Sequence, residues 1–308
     1  MPRKRRKSPE SETIEVRTSD GWALRADVDE PAGDPVGVAV LGHAMMARRS
    51  EFDRPHGKGV RRLLIEKGWR VVSFDFRGHG DSGPCAVDGG AWGYDDLVRI
   101  DMPAIHAFAR ARDKKKRPVV LVGHSLGAHV GLAAQGTGLV AFDAIVSIGG
   151  NIWLRQLEPS LARWAVKRAM LAAIAATCRR MGRFPARAMR LGSDDEARAY
   201  FEDFERFART GRWESADGAS DYLAALGRVR APVLQVVSDG DKLACTTGSG
   251  SRFLGFCAGE RELLRIERAD DGGEPPAHMT MVTGGRIGSV WERVEAWMRR
   301  VAVASGAF

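Results

Sequence analysis

Chemistry in this chain is concentrated at Gly123-His124-Ser125-Leu126-Gly127. A G-x-S-x-G pentapeptide arises easily by chance in a glycine-rich chain, so its surroundings must carry the argument. Pro118–Val122, a continuously apolar β-branched run, leads directly in, and the small-residue run Leu126–Ala134 leads directly out. A strand, a sharp turn and a helix in that order expose a serine hydroxyl on a strained turn, with glycines relieving contacts that a Cβ would make. The start of the helix aims its N–H groups and positive dipole end at negative charge developing beside the serine.

A serine nucleophile needs a base, and the base needs an acid that orients it. In α/β hydrolases, whose strand–serine turn–helix this segment resembles, both follow in the chain, acid first. The seven histidines are His43, His56, His79, His106, His124, His129 and His278. Only His278 lies more than a few residues beyond Ser125, in a Gly/Pro-rich loop that begins at Asp271. His129, on the helix leaving the turn, is expected to point away from the Ser125 hydroxyl. The acid is expected after the apolar run Val233–Val237, where Asp239 and Asp241 are both candidates and one of them is an ordinary turn aspartate.

The elements that must position these groups read as alternating strands and helices. Apolar, β-branched runs bounded by turn residues occur at Thr13–Arg17, Trp22–Val28, Val36–Gly42, Arg70–Phe76, Val119–Gly123, Asp143–Gly149, Val233–Val237 and Glu262–Glu267. The first two form a hairpin through Ser19-Asp20-Gly21. Helical segments are expected at Arg54–Lys67, Asp95–Arg112, Leu126–Gln135, Phe253–Ala258 and Ile287–Val301. This order predicts an α/β fold with a mostly parallel sheet and helices on both faces. Between Asn151 and Gly227 no strand is expected; Ser160–Met181 and Asp194–Thr210 are helical, among Trp153, Trp164, Trp213, Phe201, Phe204, Phe207 and many arginines. The chain divides into a disordered basic tail (1–12), a core (13–150 and 228–308) and a helical insertion (151–227).

Composition narrows the function classes. The net charge is +8, of which Arg3, Lys4, Arg5, Arg6 and Lys7 supply five from a short tail. That tail reads as solvated, and no nucleic-acid-binding pattern supports a nucleic-acid partner. No run approaches the ~18 apolar residues of a membrane span, and Met1–Glu10 lacks the apolar stretch of a secretory signal. A cytoplasmic protein with reduced thiols is therefore expected. Cys85, Cys178, Cys245 and Cys257 show no metal-ligand spacing, and no metal or cofactor is called for.

With these residues in view, the sequence resembles the α/β-hydrolase superfamily over most of its length, and in particular its serine-hydrolase, esterase-like members. Gly42-His43-Ala44-Met45-Met46 looks like a variant of the family's His-Gly oxyanion motif. Asp75-Phe76-Arg77-Gly78-His79-Gly80-Asp81-Ser82 matches the family's D-x-R-G-x-G-x-S segment. Asp241-Lys242-Leu243-Ala244 is similar to its acid loop, which selects Asp241 over Asp239, and His278-Met279 is similar to its base loop. The resemblance implies an α/β-hydrolase fold with an eight-stranded sheet and a helical cap formed by the insertion. It also implies oxyanion donors at the backbone N–H groups of Met45 and Leu126. Alanine replaces the family's glycine at Ala44, and again at Ala277 before the base.

The expected activity is hydrolysis of a carboxylic ester or related small acyl substrate through an acyl-enzyme, with Ser125, Asp241 and His278 as the reacting set. The alternatives are an acyltransferase using the same set and a non-catalytic ligand-binding relative. Insertion aromatics could line an apolar acyl pocket or simply pack the insertion. Arg163, Arg168, Arg179, Arg180, Arg183 and Arg187 could bind an acidic substrate group or form a solvated face.

Overall fold

In a computed structural model that describes residues 11–304, the β-branched runs assemble into one eight-stranded sheet. Its strands are β1 (Ser11–Arg17), β2 (Ala23–Asp29), β3 (Val38–Gly42), β4 (Arg70–Phe74), β5 (Val119–His124), β6 (Ala144–Ile148), β7 (Val233–Ser238) and β8 (Arg261–Ile266). Their order across the sheet is β1-β2-β4-β3-β5-β6-β7-β8. The hairpin β1–β2 and the β2–β4 pair are antiparallel; every other pairing is parallel. The basic residues 3–7 lie outside the described residues.

Period-two alternation divides the apolar runs between two cores. Val38, Val40, Val119 and Leu121 face one side, packed with Met102 and Ile105 of α2 (Met102–Arg112) and Val130 of α3 (Leu126–Gly136). Ala39, Leu41, Val120 and Val122 face the other, packed with Leu64 of α1 (Val60–Glu66) and Val294, Trp297 and Met298 of the C-terminal helix Gly288–Ala304. Central strands β3, β5 and β6 are buried along their whole length, so the loops at their C-terminal ends emerge from a rigid platform.

The segment between β6 and β7 supplies α4 (Leu161–Met181) and α5 (Arg198–Thr210). Helix α4 opens with the Ser160 side chain accepting from the Arg163 N–H and closes at Gly182 in the left-handed conformation. Its buried stripe is Lys167, Leu171, Ala175 and Cys178, at helical spacing; α5 buries Tyr200, Phe201, Phe204 and Phe207. This segment also contains a two-residue antiparallel pairing, Arg183–Phe184 with Glu196–Ala197, where no strand was expected. A pairing this short has no periodicity to read in sequence.

One helix differs from expectation. In place of Phe253–Ala258, the helix after β7 is α6 (Thr247–Leu254), started by the Thr246 side chain accepting from the Ser249 N–H. Gly248, Ser249 and Gly250 disfavour a helix locally. Burial of Phe253 and Leu254 against the core overrides them. All four cysteines are free thiols.

Candidate active site

Ser125 sits where β5 turns into α3, with φ 50° and ψ −104°, a conformation unusual for a residue with a side chain. Its backbone N–H donates to Ile148 O on β6 (2.8 Å). The flanking glycines are required by close approach: a Cβ on Gly123 would collide with the Ala128 backbone, and one on Gly127 with the Gly42 carbonyl. The turn is thereby wedged against β3, and Gly127 N–H donates to His43 O (3.0 Å).

His278 and Asp241 meet from opposite loops. The Nδ1 of His278 lies 2.5 Å from Asp241 Oδ2. The Asp241 carboxylate also accepts the N–H groups of Ala244 (2.9 Å) and Cys245 (2.9 Å). Burial opposes its charge, but His278 and these N–H donors outweigh burial and hold the carboxyl below its ordinary range. Asp239 points elsewhere, into Arg265 (2.7 Å) and Thr247 (2.9 Å). The His278 loop is fixed by Ser238 Oγ donating to Pro276 O (2.6 Å). Ser125 Oγ makes no hydrogen bond within the described residues, yet Ser125 and His278 line the same cavity.

Two buried glutamates hold the loop after β3. Ala44 N–H donates to Glu51 Oε1 (2.9 Å), and Met46 N–H donates to Glu196 Oε1 (2.8 Å). The Met45 N–H between them has no acceptor within the described residues, and the same is true of Leu126 N–H at the start of α3. His43 Nε2 accepts from Phe76 N–H (3.0 Å), which puts the ring proton on Nδ1, where it donates to Ala44 O (2.7 Å). Alanine fits at position 44 because the left-handed residue of this loop is Met46, φ 58°, not Ala44.

Neither glutamate figured among the expected site residues. Glu196 comes from the distant segment between β6 and β7, and it also bonds His79 Nε2 (2.9 Å). His79 is fully enclosed; burial works against its charge, but Glu196 prevails and raises its pKa to about 9. The remaining segment that resembles the family's pattern, Asp75 to Ser82, serves as scaffold. Asp75 accepts Arg49 N–H (2.7 Å), and the Arg77 guanidinium is clasped by Asp101 (2.8 Å) and Asp20 (2.9 Å).

The cavity has a volume of about 330 Å³ and is lined by no charged side chain. Met45, Met46, Met170, Leu171, Ile174, Leu191, Phe201, Phe204 and Trp153 form most of its wall. The insertion aromatics thus divide: Trp153, Phe201 and Phe204 reach the cavity, while Phe207 and Trp213 pack in the core. None of the six insertion arginines lines it. Arg163 pairs with Glu158 and Arg183 with Asp195, Arg168 lies near Glu205, and Arg179, Arg180 and Arg187 are exposed. The Asp241 loop is tied to the same segment: Ala244 O accepts from Trp153 Nε1 (3.0 Å) and Lys167 Nζ (3.5 Å), and buried Lys167 pairs with Glu158 (2.8 Å). His129, assigned no part from sequence, also lines the cavity; its ring bonds Tyr94 Oη (2.9 Å) and not the Ser125 hydroxyl.

No helix among the described residues is long and apolar enough to cross a membrane. Comparison with curated proteins finds no match. Solved structures share the architecture at low identity. An esterase from Pyrococcus furiosus is 16% identical, with 95% of this chain and 91% of that one covered and a TM-score of 0.61. The esterase domain of a Rhodothermus marinus protein is 20% identical (94% and 98% covered, TM-score 0.57). A thermophilic esterase from Thermogutta terrifontis is 14% identical (94% and 99% covered, TM-score 0.57). The sequence model of the alpha/beta hydrolase family matches residues 39–285, a span that holds the serine turn, the acid loop and the base loop, and the chain therefore belongs to the alpha/beta hydrolase family.

Proposed function

We propose that this protein is a serine hydrolase acting on neutral carboxylic esters with an apolar arm. The observation that carries the reading is the 2.5 Å pairing of His278 Nδ1 with the buried Asp241 carboxylate, on the wall of the uncharged cavity that Ser125 also lines. Asp241 holds the His278 proton on Nδ1, leaving Nε2 as the base. Nε2 takes the Ser125 proton as Oγ attacks the ester carbonyl carbon. The N–H groups of Met45 and Leu126 receive the oxyanion; losing one such donor costs ~10²–10³ in rate. The intermediate collapses as His278 returns the proton to the departing alcohol, leaving an acyl-Ser125 ester. Water, deprotonated by His278, releases the acid and regenerates Ser125.

Residues 151–227 act in this reading as a cap that supplies apolar wall to the substrate cavity. That the arginines of this segment are paired or exposed argues for neutral over acidic esters. A fluorophosphonate probe is expected to form an adduct on Ser125 that is lost in Ser125→Ala and in His278→Ala. Full labelling of His278→Ala would show the base to be misassigned. An equal or greater kcat/KM for carboxylate-bearing esters than for neutral ones would remove the neutral-substrate reading.

A further inference from the structure

His129 lies one helical turn beyond Ser125 on α3, and it is 2% exposed. It shares the cavity wall with Ser125 and Phe204. Its surroundings are aromatic: it stacks on Tyr94 and meets Phe204 and Trp213 edge to face. A polar ring placed among such groups is expensive unless both nitrogens are satisfied.

Hydrogen-bond accounting fixes its protonation. The hydroxyl of fully buried Tyr94 has one hydrogen-bond acceptor among the described residues, His129 Nδ1 at 2.9 Å, since the neighbouring Trp213 indole N–H can only donate. If Nδ1 carried the proton, the Tyr94 O–H would be left buried with nothing to donate to. Nδ1 is therefore the acceptor. Burial pulls the His129 pKa down to about 3, reinforced by the nearby His278, so the ring is neutral and its single proton is on Nε2. That N–H finds no acceptor within the described residues. The ring lines the cavity while its Nδ1 is taken by Tyr94, which leaves Nε2–H as the polar group His129 can offer to the cavity.

We propose that His129 Nε2–H is a substrate-recognition donor, selecting neutral esters that carry a hydrogen-bond-accepting oxygen, such as a ketone or ether, a few bonds from the scissile carbonyl. This rests on the serine-hydrolase reading for the position of the reacting carbonyl. Side chains one turn apart on a helix have Cβ atoms about 5–6 Å apart, which places the accepting oxygen roughly three to five bonds along the ester arm that lies on α3. Among the other polar side chains of the wall, Ser125 and His278 serve the proposed reaction, Trp153 Nε1 and an Asn151 amide N–H donate to Ala244 O, and Ser193 is exposed to solvent. The preference arises because an all-carbon arm against His129 removes the water that would otherwise satisfy Nε2–H and offers no acceptor in its place.

The test compares ethyl hexanoate with ethyl 4-oxohexanoate and ethyl 5-oxohexanoate, and with ethyl esters carrying an ether oxygen at the same positions. A second set places the oxygen in the alcohol arm, which identifies the arm that lies on α3. One oxygenated ester is expected to exceed its all-carbon counterpart in kcat/KM by about 5–10-fold, after both are corrected for their water-to-alkane partition. In folded His129→Leu the ratio of kcat/KM between the oxygenated ester and its all-carbon counterpart is expected to fall to about one, whatever the absolute rates. Binding of the same pairs to Ser125→Ala, followed by the fluorescence of cavity-lining Trp153, reads the recognition without turnover. No oxygen preference in either turnover or binding overturns the proposal, as does a preference that survives in folded His129→Leu. Absence of turnover together with intact discrimination in binding would instead overturn the serine-hydrolase reading and leave the donor role standing. If His129→Leu does not fold, the wild-type comparison decides alone.

Discussion

Glu196→Gln isolates the link between the inserted segment and the loop after β3. The change preserves size and a carbonyl oxygen able to accept from Met46 N–H, but it removes the negative charge facing His79. Removing one partner of a buried ion pair typically costs 3–5 kcal/mol, because the other charge is stranded. Here the stranded group can escape by losing its proton, so the linkage value bounds the electrostatic loss. His79 is raised from 6.5 to about 9 in the folded protein, which corresponds to roughly 3 kcal/mol of stability. The sign follows from the direction: a histidine raised on folding contributes fully below its unfolded value and loses that contribution as pH rises through the folded value. Thermal melting of wild type and Glu196→Gln from about pH 6 to about pH 10 is the assay. At the acid end the variant is expected to melt about 5 °C or more below wild type, and the gap should close above about pH 9. If the placement of Met45 N–H depends on this anchor, ester turnover falls in the variant with little change in KM. A melting gap that is constant across the range, or that widens with pH, would refute the assignment of a charged His79–Glu196 pair.

Four further substitutions test other parts of the site. Asp241→Asn should leave the cavity intact but free His278 to take the wrong tautomer, lowering kcat by ~10⁴ in steady-state ester hydrolysis. Asp239→Asn, which loses only contacts to half-exposed Arg265 and to Thr247, should change it less than about twofold. Gly127→Ala forces a Cβ into the Gly42 carbonyl and should destabilise by about 2 kcal/mol or more in denaturant unfolding, with loss of probe labelling at Ser125. Lys167→Met fills the same space over Trp153 but leaves Glu158 with Arg163 as its one remaining ion-pair partner; a drop of about 1–3 kcal/mol in stability is expected, and an unchanged melting curve would show the buried pair to be energetically neutral.

Much of this architecture follows from local pattern. The runs that became β3, β5 and β6 were legible because strands buried on both faces must be continuously apolar. Ser125 stood out because a β-branched run, a glycine-flanked serine and a small-residue helix meet there in a few residues. What remained hidden depends on segments far apart in sequence. Asp239 and Asp241 are two residues apart in one loop, and only the family resemblance of Asp241-Lys242-Leu243-Ala244 separates them in sequence; in the fold, the His278 loop approaches one and Arg265 the other. Glu51, Glu196 and Lys167 look like ordinary surface charges in sequence, where charged residues are usually solvated. They are buried because each has a partner supplied by a distant element. His129 is expected to point away from the Ser125 hydroxyl and makes no side-chain bond to it, but helix phase alone does not reveal that it joins the cavity wall. The sequence by itself thus determined the succession of strands and helices along the chain, the serine turn and the one distant histidine available to it. Tertiary structure alone decided which carboxylates are enclosed, which N–H groups are left without acceptors and which side chains form the cavity wall, because burial and hydrogen-bond pairing are properties of contacts between segments and not of the segments themselves.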